Sequence, residues 1–175
     1  MVREGYSFGL PPFLVGVMLL IAGKESVEIR VGLAADLPEI SILLAGAPEA
    51  AMWSDRALAD LLGSAKDTLL VARLGEDVAG FIVGRAIGDE AEILNLAVRS
   101  DRRRRGVGRV LALALLENYA RAGAVRTFLE VRESNRSAIA FYEALGFSEV
   151  GRRPDYYRNP VEAALILGRQ ADAAR

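Results

Sequence analysis

The stretch 106–122 constrains this chain more than any other. Read at helical spacing, its apolar residues form two stripes. Val107, Val110, Leu111 and Ala114 make one, and Leu113, Leu116 and Ala120 make the other. A helix that is apolar on more than one side has to be covered on more than one side. Gly123 supplies its stop. The flanking sequence offers the cover. Val27, Ile29 and Val31 alternate with polar residues as a strand does. Residues 67–73 and 78–85 read as strands joined by Gly75-Glu76-Asp77, and 92–98, 125–132, 147–151 and 163–167 read as further strands. Helices are expected over 35–44, over 54–62 behind Ser54-Asp55, and from the capping residue Asn135 to Leu145, with Gly146 as breaker. Strands and helices intermix without strict βαβ repetition. This predicts an α/β (α+β) fold, a mixed central sheet with helices on both faces.

Composition narrows the chemistry. The chain has 175 residues, 52% of them hydrophobic, which suits one domain with a sizeable core. Its 22 basic and 23 acidic side chains leave a net charge of -1. No global field therefore draws it to nucleic acid or anionic lipid, and neither partner is expected. There is no cysteine and no histidine. Disulfides, thiolate or histidine metal sites and serine–histidine triads are excluded, leaving carboxylates, tyrosines, lysines and backbone amides. No metal is expected, and the expected location is cytoplasmic.

The N-terminal stretch is set apart. Residues 5–23 carry no charge, but Pro11-Pro12 interrupts a span that would need about 20 apolar residues to cross a membrane. Arg3 is paired with Glu4 and no small-residue cleavage site follows. Residues 1–25 are read first as an extension or an alternative start at Met18, second as a packed extra segment, third as a targeting sequence. Residues 26–170 are read as the domain.

Residues 97–108, Ala-Val-Arg-Ser-Asp-Arg-Arg-Arg-Arg-Gly-Val-Gly, join a strand to the buried helix. Unpaired amides of a first helical turn, with the positive end of the helix dipole, form an anion site. A P-loop would need Gly-Lys-Ser/Thr where Gly108-Arg109-Val110 stands, and a dinucleotide fingerprint a third glycine where Leu111 stands. Arg103-x-x-Gly106-x-Gly108 resembles the pyrophosphate-binding motif of the GNAT acetyltransferases. Taken alone, the run 102–105 reads equally well as a solvated turn with capping glycines.

A second block extends the resemblance. Residues 128–147, Phe-Leu-Glu-Val-Arg-Glu-Ser-Asn-Arg-Ser-Ala-Ile-Ala-Phe-Tyr-Glu-Ala-Leu-Gly-Phe, closely resemble the second GNAT motif. They look particularly like the bacterial ribosomal-protein alanine N-acetyltransferases, and residues 93–98 resemble the partner strand. The resemblance implies acetyl-CoA as co-substrate, entering between two splayed parallel strands. Leu96, Ala97 and Val98 would border its pantetheine arm through backbone groups, one amide polarising the thioester carbonyl. Arg104, Arg105, Gly106, Val107, Gly108 and Arg109 would hold the pyrophosphate, and Asn135 would touch the cofactor beyond the splay. Glu130 matches the family's general base, with Glu92 as backup. The competing reading makes Glu130 a solvated carboxylate paired with Arg132 or Arg126. Tyr142 matches the general acid toward the departing thiolate; the competing reading is core packing with Ile139 on one helical face.

The acceptor follows from the same resemblance. Trp53-Ser54 resembles the family's Trp-Ser pair, with Met52 where proline is common. Asp155-Tyr156-Tyr157 resembles its Asn-Tyr-Tyr segment, with aspartate in place of asparagine. Trp53, Tyr156 and Tyr157 are expected to border a peptide groove, or equally to anchor loops to the core. The expected reaction is acetylation of the N-terminal alanine of a small-subunit ribosomal protein. The alternatives are acetylation of a lysine or small amine, and acyl-CoA binding without catalysis.

Overall fold

The computed structural model describes residues 18–22, 25–47, 50 and 53–171. Among the described residues, eight strands form one sheet: β1 (Met18–Ala22), β2 (Glu25–Val31), β3 (Asp67–Leu74), β4 (Asp77–Ile87), β5 (Glu90–Val98), β6 (Arg126–Arg132), β7 (Ser148–Arg158) and β8 (Val161–Gln170). Their order is β1-β2-β3-β4-β5-β6-β8-β7. The β5–β6 pair is parallel, and the other pairs are antiparallel. Helices α1 (Leu37–Ala45), α2 (Asp55–Leu62), α3 (Val107–Arg121) and α4 (Arg136–Glu143) complete the fold.

Alternation along β3 shows the layering. Leu70 and Ala72 join α3 and α4 in one core, while Leu69 and Val71 join α1 and α2 in the other. The helix that demanded cover in the sequence is α3. Leu111, Ala112 and Leu115 are fully buried, with Tyr119 2% exposed. The sheet is mixed and flanked on both faces, as the irregular order of strands and helices implies. On the α1 side, Asp36 fastens the chain entering the helix. It accepts both Arg30 guanidinium nitrogens at 2.7 Å, the Leu33 amide at 2.8 Å and Arg73 at 3.2 Å. Removing one partner from such a buried set costs roughly 3–5 kcal/mol.

Several boundaries differ from the sequence reading. Helix α1 begins at Leu37, after a 3-10 turn at Ala34–Asp36, because Pro38 favours a helix's first positions. Helix α4 ends at Glu143. Strand β1 lies within the stretch set apart at the N-terminus. The largest difference is the last hairpin: β7 and β8 run well beyond 147–151 and 163–167. β7 is an edge strand with few sheltered residues. It is held by its ladder to β8, so no apolar alternation marks its length.

Candidate active site

The site starts from a mismatch between strands. β5 pairs with β6 only from Glu90↔Arg126 to Ile93↔Leu129. Beyond that point β5 stays with β4 as far as Val98, and β6 stays with β8 as far as Arg132. The separation begins at a bulge. Opposite β4 the register passes from Gly84↔Ile93 to Val83↔Asn95, leaving Leu94 without a partner. A bulge bends and twists its strand, and this one turns β5 away from β6. Arg99 N–H donates to the Ala79 carbonyl at 2.9 Å. Bonded pairs alternate along an antiparallel ladder, so Ala97 and Asn95 also bond to β4. Leu96 and Val98 therefore direct their backbone groups into the gap. There the Val98 carbonyl accepts from Arg103 Nε at 3.1 Å.

The gap opens into a cavity of about 400 Å³. Of the expected cofactor residues, Leu96, Ala97, Val98, Arg104, Gly106, Gly108, Arg109 and Asn135 line it. Arg105 lies outside the lining, and the Val107 side chain is 1% exposed in the α3 core. Arg104 (φ 62) and Gly106 (φ 92) both lie in the left-handed region, which curls the chain ahead of α3. Gly106 is the N-cap of α3 and has no side chain to accept from its first-turn amides, which suits that turn to an anion. A Cβ at Gly108 would meet Val98 and Phe141 only at ordinary distances of 3.5 Å and more. The bare glycine thus leaves room for a ligand and does not relieve a clash. Asn135 caps α4, its Oδ1 accepting from Ala138 N at 3.1 Å and Ser137 Oγ at 3.0 Å. Ser137, Ala138 and Phe141 complete that wall.

On the α1/α2 face, Glu130 does not meet either expected partner. Arg132 pairs with Glu162 and Arg126 with Glu90. Glu130 Oε1 lies 3.1 Å from Arg153 Nε instead. Tyr156 also bonds this carboxylate, which with burial and the Glu130 charge holds the tyrosine above its ordinary pKa. Burial and then Glu130 raise Tyr157 as well; its ring lies 4.1 Å below Arg132. Glu92 stands close by on β5. Desolvation and then the Glu130 charge push its carboxyl above the ordinary 4.5, against the pull of Arg85 and Arg153. Tyr142 is 7% exposed, edge-on to Phe141 at 5.0 Å and Phe147 at 5.5 Å, and burial raises its hydroxyl pKa. Trp53 is partly buried and packs against the α1/α2 core.

Residues 38–147 match the Acetyltransferase (GNAT) family. The chain belongs to the GNAT acetyltransferase family. This GNAT protein is 39% identical over 107 residues to the [Ribosomal protein bS18]-alanine N-acetyltransferase of Salmonella typhimurium, covering 60% of this chain and 70% of that one. It is 36% identical over 110 residues to the N-alpha-acetyltransferase RimI of Mycobacterium tuberculosis, covering 61% and 68%. The crystal structure of the ribosomal-protein-S18-alanine N-acetyltransferase from Escherichia coli superposes with a TM-score of 0.75 at 31% identity, over 85% of this chain and 96% of that one.

The GNAT chain is thus an acetyl-CoA-dependent N-acetyltransferase. Its cavity fits that co-substrate: strand-edge backbone of Leu96 and Val98 for an extended amide-bearing arm, arginines and helix amides for phosphates, and a glycine where bulk would intrude. Among the described residues no group of three or more acidic side chains is placed to hold a metal ion. The sequence reading missed Arg153, together with Ala47, Ala50, Arg102, Arg103, Ser137, Ala138 and Phe141 on the cavity wall. The arginine run and the motif blocks pointed toward Arg102, Arg103, Ser137, Ala138 and Phe141. Nothing local marks Ala47, Ala50 and Arg153, which other parts of the chain bring to the site.

Proposed function

We propose that this enzyme acetylates a protein N-terminal α-amine, specifically the N-terminal alanine of a small-subunit ribosomal protein. The observation that carries the reading is a sheltered Glu130 with Glu92 beside it, where β6 parts from β5, the strand whose end lines the cavity. The relatives' names support the choice of acceptor. Elementary acid–base chemistry supports it too. An α-amine titrates near about 8 and a lysine near about 10.4, so one carboxylate deprotonates the former far more readily.

Acetyl-CoA supplies the acetyl thioester. Leu96 and Val98 hold its arm, and Arg104, Gly106, Gly108, Arg109 and Asn135 hold its phosphate end, with Arg105 and the Val107 amide at that turn. Glu130, with Glu92 as alternate, accepts the proton that the amine loses as its nitrogen bonds the acetyl carbon. The carbon–sulfur bond breaks in the same attack, with no covalent enzyme intermediate. Tyr142 donates a hydrogen bond toward the departing thiolate. Its raised pKa keeps it protonated and favours hydrogen bonding over full transfer to a thiol of ordinary pKa about 8.5. Tyr156, Tyr157 and Trp53 border the peptide, and Asp155 favours a basic one.

In this reading residues 26–170 are the catalytic domain, 1–25 an extension, and the setting is the cytoplasm beside the ribosomal substrate. No helix among the described residues is long and apolar enough to cross a membrane. The test is acetyl-CoA turnover on an alanine-first peptide beside its N-terminally blocked twin carrying a lysine. Turnover on the free N-terminus alone is expected; turnover on the blocked lysine peptide would replace this reading with lysine acetylation.

A further inference from the structure

A base awaiting an acceptor amine needs an open approach, yet Glu130 is covered. Arg153 Nε lies 3.1 Å from Oε1, and Tyr156 faces the same carboxylate. The two ends of the ion pair differ. The Glu130 side chain is 20% exposed, whereas that of Arg153 is 56% exposed. The carboxylate is built into the site, and the guanidinium is a surface arm laid over it.

An irregularity in β7 builds this cover. Its register against β8 jumps from Arg153↔Ala164 to Tyr157↔Glu162, so three residues of β7 oppose one of β8. Asp155 turns through φ 50 behind Pro154. In a regular strand, residues three apart point to opposite faces. Here the excursion brings Arg153 and Tyr156 onto one carboxylate. The neighbouring arginines are engaged elsewhere, Arg132 with Glu162 and Arg152 with Glu133. The Arg153 guanidinium also lies 5.6 Å from the Tyr156 ring, a surface on which a displaced arm can rest.

To a carboxylate, a guanidinium and an alkylammonium present the same chemistry: positive charge with N–H donors. Resting on the reading of Glu130 as the base, we infer that Arg153 is a placeholder for the acceptor's cationic amine. It keeps Glu130 paired in the free enzyme, and the arriving amine displaces it. Arg153 is thus a positioning residue that acts through Glu130 and competes with the acceptor. An ion pair with one partner this exposed is weak enough to be exchanged. The groups facing the carboxylate are Glu92 from β5, Arg132 beside it on β6, and Arg153, Tyr156 and Tyr157 from β7. Without Arg153, Glu92 faces the Glu130 charge with less opposing charge, and its carboxyl is pushed further above its ordinary value.

The experiment compares wild type, Arg153→Gln and Arg153→Lys by steady-state kinetics with an alanine-first peptide. In R153Q, at pH above the acid limb, the peptide KM is expected to fall about two- to fivefold, the measure of a weak pair removed. The acetyl-CoA KM stays unchanged and the acid limb of kcat/KM moves to higher pH. Guanidinium chloride, below denaturing concentration, is expected to inhibit R153Q competitively against the peptide and more strongly than wild type, by refilling the vacated place. R153K is expected to restore the wild-type pH profile. A peptide KM that rises in R153Q, or an unmoved acid limb with no competitive guanidinium inhibition, would overturn the placeholder role. Glu130→Gln separates the two levels. Retained turnover in E130Q removes the base assignment itself, whereas a dead E130Q beside an unaltered R153Q removes only the role of Arg153.

Discussion

On the nucleotide side of the cleft, most lining residues fall in two short runs, 96–109 and 135–141. On the acceptor side, Glu92, Glu130, Arg153 and Tyr156 arrive from three strands. In the proposed function the first half works largely through backbone: strand groups turned into a gap and amides at the start of α3. The second works through side chains whose meeting depends on register. An irregular strand shapes each half. The unpaired Leu94 opens β5 from β6, and the excursion at residues 154–156 folds Arg153 and Tyr156 over Glu130. Backbone recognition needs the right chain path and tolerates many side chains. The acceptor side has no such tolerance.

Substitutions on each side should therefore fail in different observables. The largest effect is expected for Glu130→Gln, where turnover falls about 10²- to 10⁴-fold while calorimetry finds acetyl-CoA binding preserved. Lost binding in that variant would merge the two halves into one. Gly108→Ala is expected to raise the acetyl-CoA KM about tenfold by placing a methyl in the cavity. Peptide KM should not change, and thermal unfolding should show a gain of about 0.5–1 kcal/mol from replacing a helical glycine. A destabilised G108A would show that the glycine serves packing and not the ligand. Tyr142→Phe tests the junction between the halves. It keeps the ring packing against Phe141 and Phe147, so stability should hold while kcat falls about three- to tenfold, the worth of one hydrogen bond. An unchanged kcat would leave Tyr142 a core residue.

The sequence made the two sides legible to different degrees. The turn from Arg103 to Gly108 could be read because its function is local: positive charge, a left-handed glycine and a helix start are adjacent in the chain. Leu129 and Val131 point into the α3 core, which leaves Glu130 on the opposite face of the sheet. Its partner could not be read. Arg126 and Arg132, close in sequence, are claimed by Glu90 and Glu162, and the cation that reaches it comes from β7.

By itself the sequence determined the order and type of most elements, the two-sided burial of α3, the arginine–glycine turn ahead of it and the absence of cysteine and histidine chemistry. These follow from periodicity and composition, which act over a few residues. Only the tertiary structure decided the full length of β7, the point where β5 and β6 part, and the cover over Glu130. Those depend on strand register and on bulges. Register is a relation between segments far apart in the chain, fixed by ladder hydrogen bonds and shared burial, and no local pattern carries it.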